Sequence, residues 1–236
     1  MGIKERQERD REAVRRSILD AARDLFVSEG YRNVSIRKIA EKIEYSPAAI
    51  YGYFPSKDDI FYALAEEGFR LLGGPQEAGH LHGLDGLAPL DRIRAIFWRF
   101  YQFSCEHPQY FALMFVDRSV PRISREFERF AFARAIKQSI LDEIQGCIES
   151  GVFPGNLEPA AAMRALGSGL LGVAVTRVSD RLAPGEDPDK MASNILDLTL
   201  AGLKAGISLQ PITTSACPLD DAVVAEPDAV TVEEHR

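Results

Sequence analysis

The 236-residue chain predicts an all-α fold: an N-terminal three-helix helix-turn-helix unit followed by a larger helical body. Three observations predict it. Ser35, Ser46 and Ser56 each stand just before a short segment of helical spacing, where a hydroxyl can accept the orphan N–H groups of a first turn. Apolar residues recur at helical intervals to about residue 207, with glycine or proline at the breaks. Pro159 and Pro188 stand at helix starts, where the missing N–H does no harm.

Taken in order, the first helix is expected from Glu8 to Gly30, with Val14, Ile18, Ala21, Ala22, Leu25 and Phe26 as its buried stripe and Gly30 as its stop. The second opens at Ser35 and turns Ile36, Ile39, Ala40 and Ile43 inward. The third, Pro47 to Phe54, has only about two turns and buries Ile50 and Phe54. A helix so short needs flanking helices to hold it. The fourth begins at Ser56-Lys57-Asp58-Asp59, buries Ile60, Phe61, Leu64, Ala65 and Phe69, and ends at Gly73-Gly74-Pro75. A Gly/Pro/His loop to Pro89 then separates head from body. His80 and His82 lie in it, with no nearby cysteine or acidic cluster to complete a metal site. The body continues with helices over Leu90 to Glu106, Gln109 to Asp117, Ile123 to Ser150, Pro159 to Arg181 and Pro188 to Ile207.

Charge is unevenly spread. The formal net charge is −7, yet residues 1–57 hold 12 Lys and Arg against 9 Asp and Glu, leaving −10 for the remainder. A weakly basic head on an acidic body fits a protein that docks one end on DNA and holds the rest away. Arg37 and Lys38 lie in the first turn after Ser35, and Lys57 in the first turn after Ser56, where the helix dipole disfavours a cation. A phosphate would favour all three, since a helix N-terminus beside Arg or Lys is an anion site. The groove-facing side of the third helix is left to Pro47, Ala48, Ala49, Tyr51 and Tyr53.

Ala21-Ala22-Arg23-Asp24-Leu25-Phe26, Glu29-Gly30-Tyr31, Ser35-Ile36-Arg37-Lys38-Ile39-Ala40 and Ile50-Tyr51-Gly52-Tyr53-Phe54-Pro55-Ser56-Lys57-Asp58-Asp59-Ile60 occur in order. Over Arg16 to Leu64 the chain thereby resembles the DNA-binding domain of the TetR (tetracycline repressor) family of bacterial regulators. One departure is Glu44-Tyr45, where the family usually has Gly-Val, so Glu44 must take a left-handed turn conformation at some cost. The resemblance implies a dimer on a palindromic double-stranded DNA operator, with Ser35, Arg37, Lys38, Ser46, Pro47, Ala48, Ala49, Tyr51, Tyr53 and Lys57 as the DNA-facing set. It implies an effector bound within the body, and last two helices that pair with those of a second copy.

Residue types in the body bear on the last two points. Of 21 aromatics, 11 fall between Phe97 and Phe132. Such stripes usually fill a core, but with a cavity among them Trp98, Tyr101, Tyr110, Phe111, Phe115 and Phe130 are the expected lining for a small lipophilic effector. Gly167-Ser168-Gly169 and Gly172 interrupt an apolar helix at about 1 kcal/mol each relative to alanine. With the apolar last helix they mark an expected homodimer interface of Gly169, Gly172, Leu196 and Leu203.

The domains expected are therefore residues 8–72 for DNA binding, 87–208 for effector binding and dimerisation, and 209–236 as a disordered acidic tail. Cys105, Cys147 and Cys217 are far apart, as in a reduced cytoplasm. No long charge-free apolar run argues for a membrane span. His80, His82, His107 and His235 lie outside any catalytic spacing, and no P-loop, G-x-S-x-G or H-E-x-x-H occurs. The expectation is a non-enzymatic regulator, a repressor, without cofactor or metal, although the residues by themselves leave repression and activation both open. The residues leave open a nonspecific DNA-binding dimer without effector, and a helical carrier or enzyme with a vestigial head.

Overall fold

Helix α1, Ile3–Glu29, is 27 residues long and sets the axis of the head. The computed structural model describes residues 2–73, 84, 86–123, 130–207 and 209; the expectations for His80, His82, Phe127 and nearly all of the tail lie outside those residues. From α1 a 3-10 turn at Tyr31–Asn33 leads into α2, Ile36–Lys42, then α3, Pro47–Tyr51, and α4, Lys57–Gly73. The body holds α5, Pro89–Glu106; α6, Pro108–Phe111, running on as a π turn over Ala112–Val116; α7, Ala131–Glu149; α8, Pro159–Val178; and α9, Pro188–Lys204. No strand occurs among the described residues.

Several boundaries differ from the sequence expectation. Helix α1 starts five residues earlier, at Ile3, although residues 4–13 bury nothing. Third-helix geometry ends at Tyr51, and Tyr53 and Phe54 return their N–H groups to the Ile50 carbonyl at 2.9 and 3.0 Å. Helix α7 begins at Ala131 rather than Ile123. Helices α8 and α9 stop three residues short, each with its last carbonyls taken up by the following turn.

The head is assembled around Tyr31. Its ring lies 4.9 Å from that of Phe26 and 5.8 Å from that of Phe61, and its hydroxyl donates to Asp58. Burial and the neighbouring carboxylate push that phenol well above its ordinary range. The ring series continues without a break from Phe61 to Tyr62, Phe130 and Phe69. Phe130 belongs to the body, so the aromatic core of the head runs into that of the body through α4.

Two glycines let the body close on α4. A Cβ placed on Gly68 would collide with Met114 Sδ and stand 3.4 Å from the Tyr110 ring. One on Gly73 would meet Phe132 Cε1 at 2.7 Å and Ile136 Cδ1 at 3.0 Å. Both glycines cost helix propensity and are retained for this close approach. Gly68→Ala is therefore expected to lower the unfolding free energy by about 1–3 kcal/mol through overpacking, despite a propensity gain of up to about 1 kcal/mol. Denaturant titration checks it: if Met114→Ala fails to relieve the loss in the double variant, the collision is not its cause.

Candidate nucleic-acid interface

All three serine caps form. Ser35 Oγ accepts from Lys38 N at 3.2 Å, Ser46 Oγ from Ala49 N at 3.2 Å, and Ser56 Oγ from Asp59 N at 3.1 Å. Ser56 Oγ also donates to Asp59 Oδ2 at 2.7 Å, fixing the entry to α4. The turn between α2 and α3 is closed by Tyr45 N on the Ala40 carbonyl at 2.9 Å. Glu44 stands at φ 59°, the left-handed position required by the turn and usually given to glycine. Ile36, Ile39, Ala40, Ile50 and Phe54 are buried beneath this frame.

What the frame leaves outside is the upper face of α3. Pro47, Ala48 and Tyr51 are exposed, Tyr51 at 53%, while Ala49 and Tyr53 are half-buried. Arg37 is exposed and its Nε donates to Glu41 Oε1 at 2.8 Å, one turn along α2. Lys38 pairs with Glu29 at the end of α1. Both are surface ion pairs of little net worth, so their cations can be exchanged onto a phosphate or a base edge.

Lys57 is different. Its Nζ donates to the Tyr31 carbonyl at 2.8 Å and the Val34 carbonyl at 2.9 Å, and it stands 4.1 Å from the centre of the Tyr31 ring. Burial lowers its affinity for the proton, with Asp58 working against that. The cation is thus explained within the protein, because it ties the carbonyls of the 3-10 turn to α4. The dipole argument for a phosphate at Lys57 loses its force, although the ammonium keeps one N–H beyond these two bonds.

A polar girdle joins the same head to the body. Arg16 donates from Nε and Nη2 to Asp20 at 3.0 and 2.8 Å and from Nη1 to Glu67 on α4. Arg23 donates to Asp20 at 2.8 Å, and its guanidinium lies 5.5 Å from the centre of the Tyr110 ring on α6. Burial disfavours charge on Asp20, yet the hydrogen bonds and charges of Arg16 and Arg23 hold its carboxyl below the usual range. Burial likewise raises the Tyr110 phenol, opposed by Arg23.

The six aromatics expected to share an effector cavity are not brought together. Tyr101 is buried under Trp98, ring centres 5.2 Å apart, and donates to Asp189 Oδ1 at 2.6 Å. Phe111 is fully buried, with the rings of Phe100, Phe103 and Phe115 around it at 5.1–6.5 Å. Tyr110 faces α1, and Phe130 lies in the α4 seam. These side chains fill different parts of one continuous core instead of lining a common cavity. An opening lies elsewhere, at a cleft of about 960 Å³ lined by Arg32 from the head and Met114, Asp117, Arg118, Val120 and Ile123 from the π turn and the segment after it.

The dimer assignment needs a similar correction. A Cβ on Gly169 would lie 2.5 Å from Ile195 Cγ2, so this glycine seats α9 of its own chain. Leu196 and Leu203 are 1% and 3% exposed and belong to the internal core. Of the four expected interface residues, Gly172 alone opens outward. With it on the outer side are Ser168, Ala201 and Leu198, the last 69% exposed. The glycine pattern is visible in the sequence, but which glycine faces which helix depends on the crossing of α8 and α9. Helix α8 is also long and apolar enough to cross a membrane by length and composition, but α5, α7 and α9 pack on its inner face.

Three capped helices holding an exposed, polar-flanked α3 define a helix-turn-helix DNA-binding protein. Residues 18–64 match the family of bacterial regulatory proteins, tetR family, and residues 93–199 match the tetracyclin repressor-like C-terminal domain. The chain belongs to the TetR family. It is 28% identical over 189 residues to the HTH-type transcriptional repressor Rv1474c of Mycobacterium tuberculosis, covering 79% of this chain and 90% of the relative. It is 26% identical over 186 residues to the HTH-type transcriptional repressor AcnR of Corynebacterium glutamicum, covering 78% and 89%. Among solved structures, the fold resembles the TetR family regulator PfmR of Thermus thermophilus, with TM-score 0.61 and 24% identity over 81% of this chain and 99% of that one. It also resembles FadR of Bacillus subtilis, solved in complex with stearoyl-CoA, with TM-score 0.66 and 16% identity over 79% and 97%.

Proposed function

We propose that the chain is a dimeric, ligand-responsive transcriptional repressor that reads a palindromic operator. The observation that carries this reading is the exposed face of α3, held rigid by three serine caps and a strained Glu44 turn, with Arg37 and Lys38 beside it. Pro47, Ala48 and Tyr51 meet base edges or thymine methyls, Arg37 reaches a base from the start of α2, and the N–H groups beside Ser35 and Ser46 take phosphates. Lys57 supplies a phosphate contact only through its remaining N–H. The relatives named as repressors favour repression as the output.

The second copy packs on the outward face of α8 and α9, where Ser168 and Gly172 admit Leu198 and Ala201 of a two-fold partner. The effector enters the cleft beside the π turn, a helix irregularity that often marks functional sites. Met114, Val120, Pro121 and Ile123 offer apolar contact, and Arg32 and Arg118 a cationic rim, which fits a lipophilic molecule with an acidic end. A ligand touching Arg32 and the π turn together couples effector affinity to the placement of the head, and hence to operator affinity.

Selection of duplexes from a random pool by the full-length protein tests the DNA reading: a palindromic consensus is expected. Arg37→Ala is then expected to lose about 1–3 kcal/mol on that duplex and to relax preference at one base pair per half-site. Uniform weakening on every sequence would make Arg37 a phosphate contact. Sedimentation tests the dimer, with Gly172→Leu expected to run as a monomer and Gly169→Leu to lose stability against Ile195; an intact Gly172→Leu dimer moves the interface elsewhere. Calorimetry with a long-chain fatty acid and its coenzyme A ester tests the cleft. Arg118→Ala is expected to weaken binding and to blunt release of DNA, and an unaffected variant removes the cleft from the effector's path.

A further inference from the structure

We propose that the first three turns of α1 form a second DNA-contacting surface, an arm that seats a sugar–phosphate strand between itself and the end of α3. This rests on the DNA-binding reading above and adds to it a contact outside the helix-turn-helix. Every residue from Lys4 to Ala13 is exposed, and the helix nevertheless continues to Ile3. Short helices without packing are marginal in water, so this stretch is a poor ornament and a ready contact. It carries Lys4-Glu5-Arg6-Gln7-Glu8-Arg9-Asp10-Arg11-Glu12, four cations and four carboxylates with no apolar stripe to dock on another protein. What it contacts is therefore set by which of these charges overhang the head.

Direction follows from helical spacing. Lys4, Arg11 and Arg15 fall on the strip that continues through Ile18 and Ala22 into the head core, so the strip overhangs the head instead of facing away from it. Glu8 shares it, and Arg15 pairs with Glu12 at 3.4 Å, so Lys4 and Arg11 are the cations that the strip offers. Two ring contacts fix the overhang: the Arg11 guanidinium stands 5.8 Å from the centre of the Tyr53 ring and that of Arg15 5.4 Å from the Phe54 ring. Tyr53 and Phe54 directly follow the exposed α3. Between the arm and the turn that follows α3 lies an open cleft of about 520 Å³ lined by Gln7, Asp10, Arg11, Val14, Gly52 and Tyr53. Among the described residues neither Lys4 nor Arg11 pairs with a carboxylate. A guanidinium held near a ring by a cation–π contact spends none of its N–H groups on it, which leaves those of Arg11 for a phosphate, and Gln7 adds a neutral donor.

The cleft also contains Asp10, and Glu8 stands on the same strip, which gives the proposal a signature of opposite sign. Full-length protein is titrated with the duplex that it selects from a random pool, across a range of salt concentrations. Arg11→Ala is expected to weaken binding and to make the logarithmic salt dependence shallower by roughly 1 per half-site, with Arg11→Lys restoring the slope. Asp10→Asn and Glu8→Gln are expected to tighten binding, since each removes a carboxylate from the path of the strand. All three positions are exposed, and thermal unfolding verifies that each variant is folded. Unchanged affinity and slope in Arg11→Ala, or Asp10→Asn binding no tighter than the unaltered chain, overturns the arm while the operator reading stands. A chain that selects no duplex overturns both.

Discussion

The sharing of α4 between two cores is the constraint on which the rest of the molecule depends. Ile60, Phe61 and Leu64 are buried toward α1 and the Tyr31 turn, while Gly68, Phe69 and Gly73 are buried against α6, the π turn and α7. Interiors this closely packed do not deform continuously. A displacement of the body elements against Gly68 or Phe69 must be taken up either by repacking side chains or by turning α4 as a rod. Since Lys57, at the first position of α4, is bonded to the Tyr31 and Val34 carbonyls, a turned α4 carries with it the turn that precedes α2. The distance from the π turn to the Ser35 cap is thus spanned by packed groups and charge-assisted hydrogen bonds throughout.

Around this rod the polar girdle resists rotation. Arg16 and Arg23, both braced on Asp20 within α1, reach Glu67 on α4 and Tyr110 on α6. Two polar atoms in the girdle, Arg23 Nε and Glu66 Oε2, are buried without a hydrogen bond among the described residues. Unpaired buried polar groups cost free energy that another arrangement could recover. Arg23 and Glu66 each keep a charged partner beside the unpaired atom, Asp20 and Arg70 respectively, which offsets part of that cost.

How far the sequence can be read follows from the range of the interactions involved. The three caps and the left-handed Glu44 depend on residues at most five apart, and the expectation matches the structure at each. Family membership and helical class are legible for the same reason. Lys57 escapes a local reading because its partners, the Tyr31 and Val34 carbonyls, lie 26 and 23 positions away, and no local rule brings them together. Gly169 and Gly172 look equivalent in the sequence, yet only the crossing of α8 and α9 turns one inward. The aromatics of the body stand out as a group, but α6 and the π turn distribute them among different sets of neighbours. Arg11 gives no signal at all, since an Arg in a mixed-charge helix is ordinary until a tyrosine from another helix is found beneath it.

Charge distribution has the same logic on a larger scale. A net charge of −7 opposes DNA at long range, and an acidic body is kept from the duplex only if the cations are concentrated at the end that docks. Surface pairs such as Arg37 with Glu41 and Lys38 with Glu29 hold those cations in place while free, at little cost to release. Salt screens the repulsion of the body, about 8 Å being the Debye length at physiological ionic strength, while direct contacts with phosphate act within hydrogen-bond distance. Moderate salt therefore weakens the approach and the contacts by different amounts. A chain so polarised concentrates its cations on the α1–α4 frame, the end that carries the helix-turn-helix.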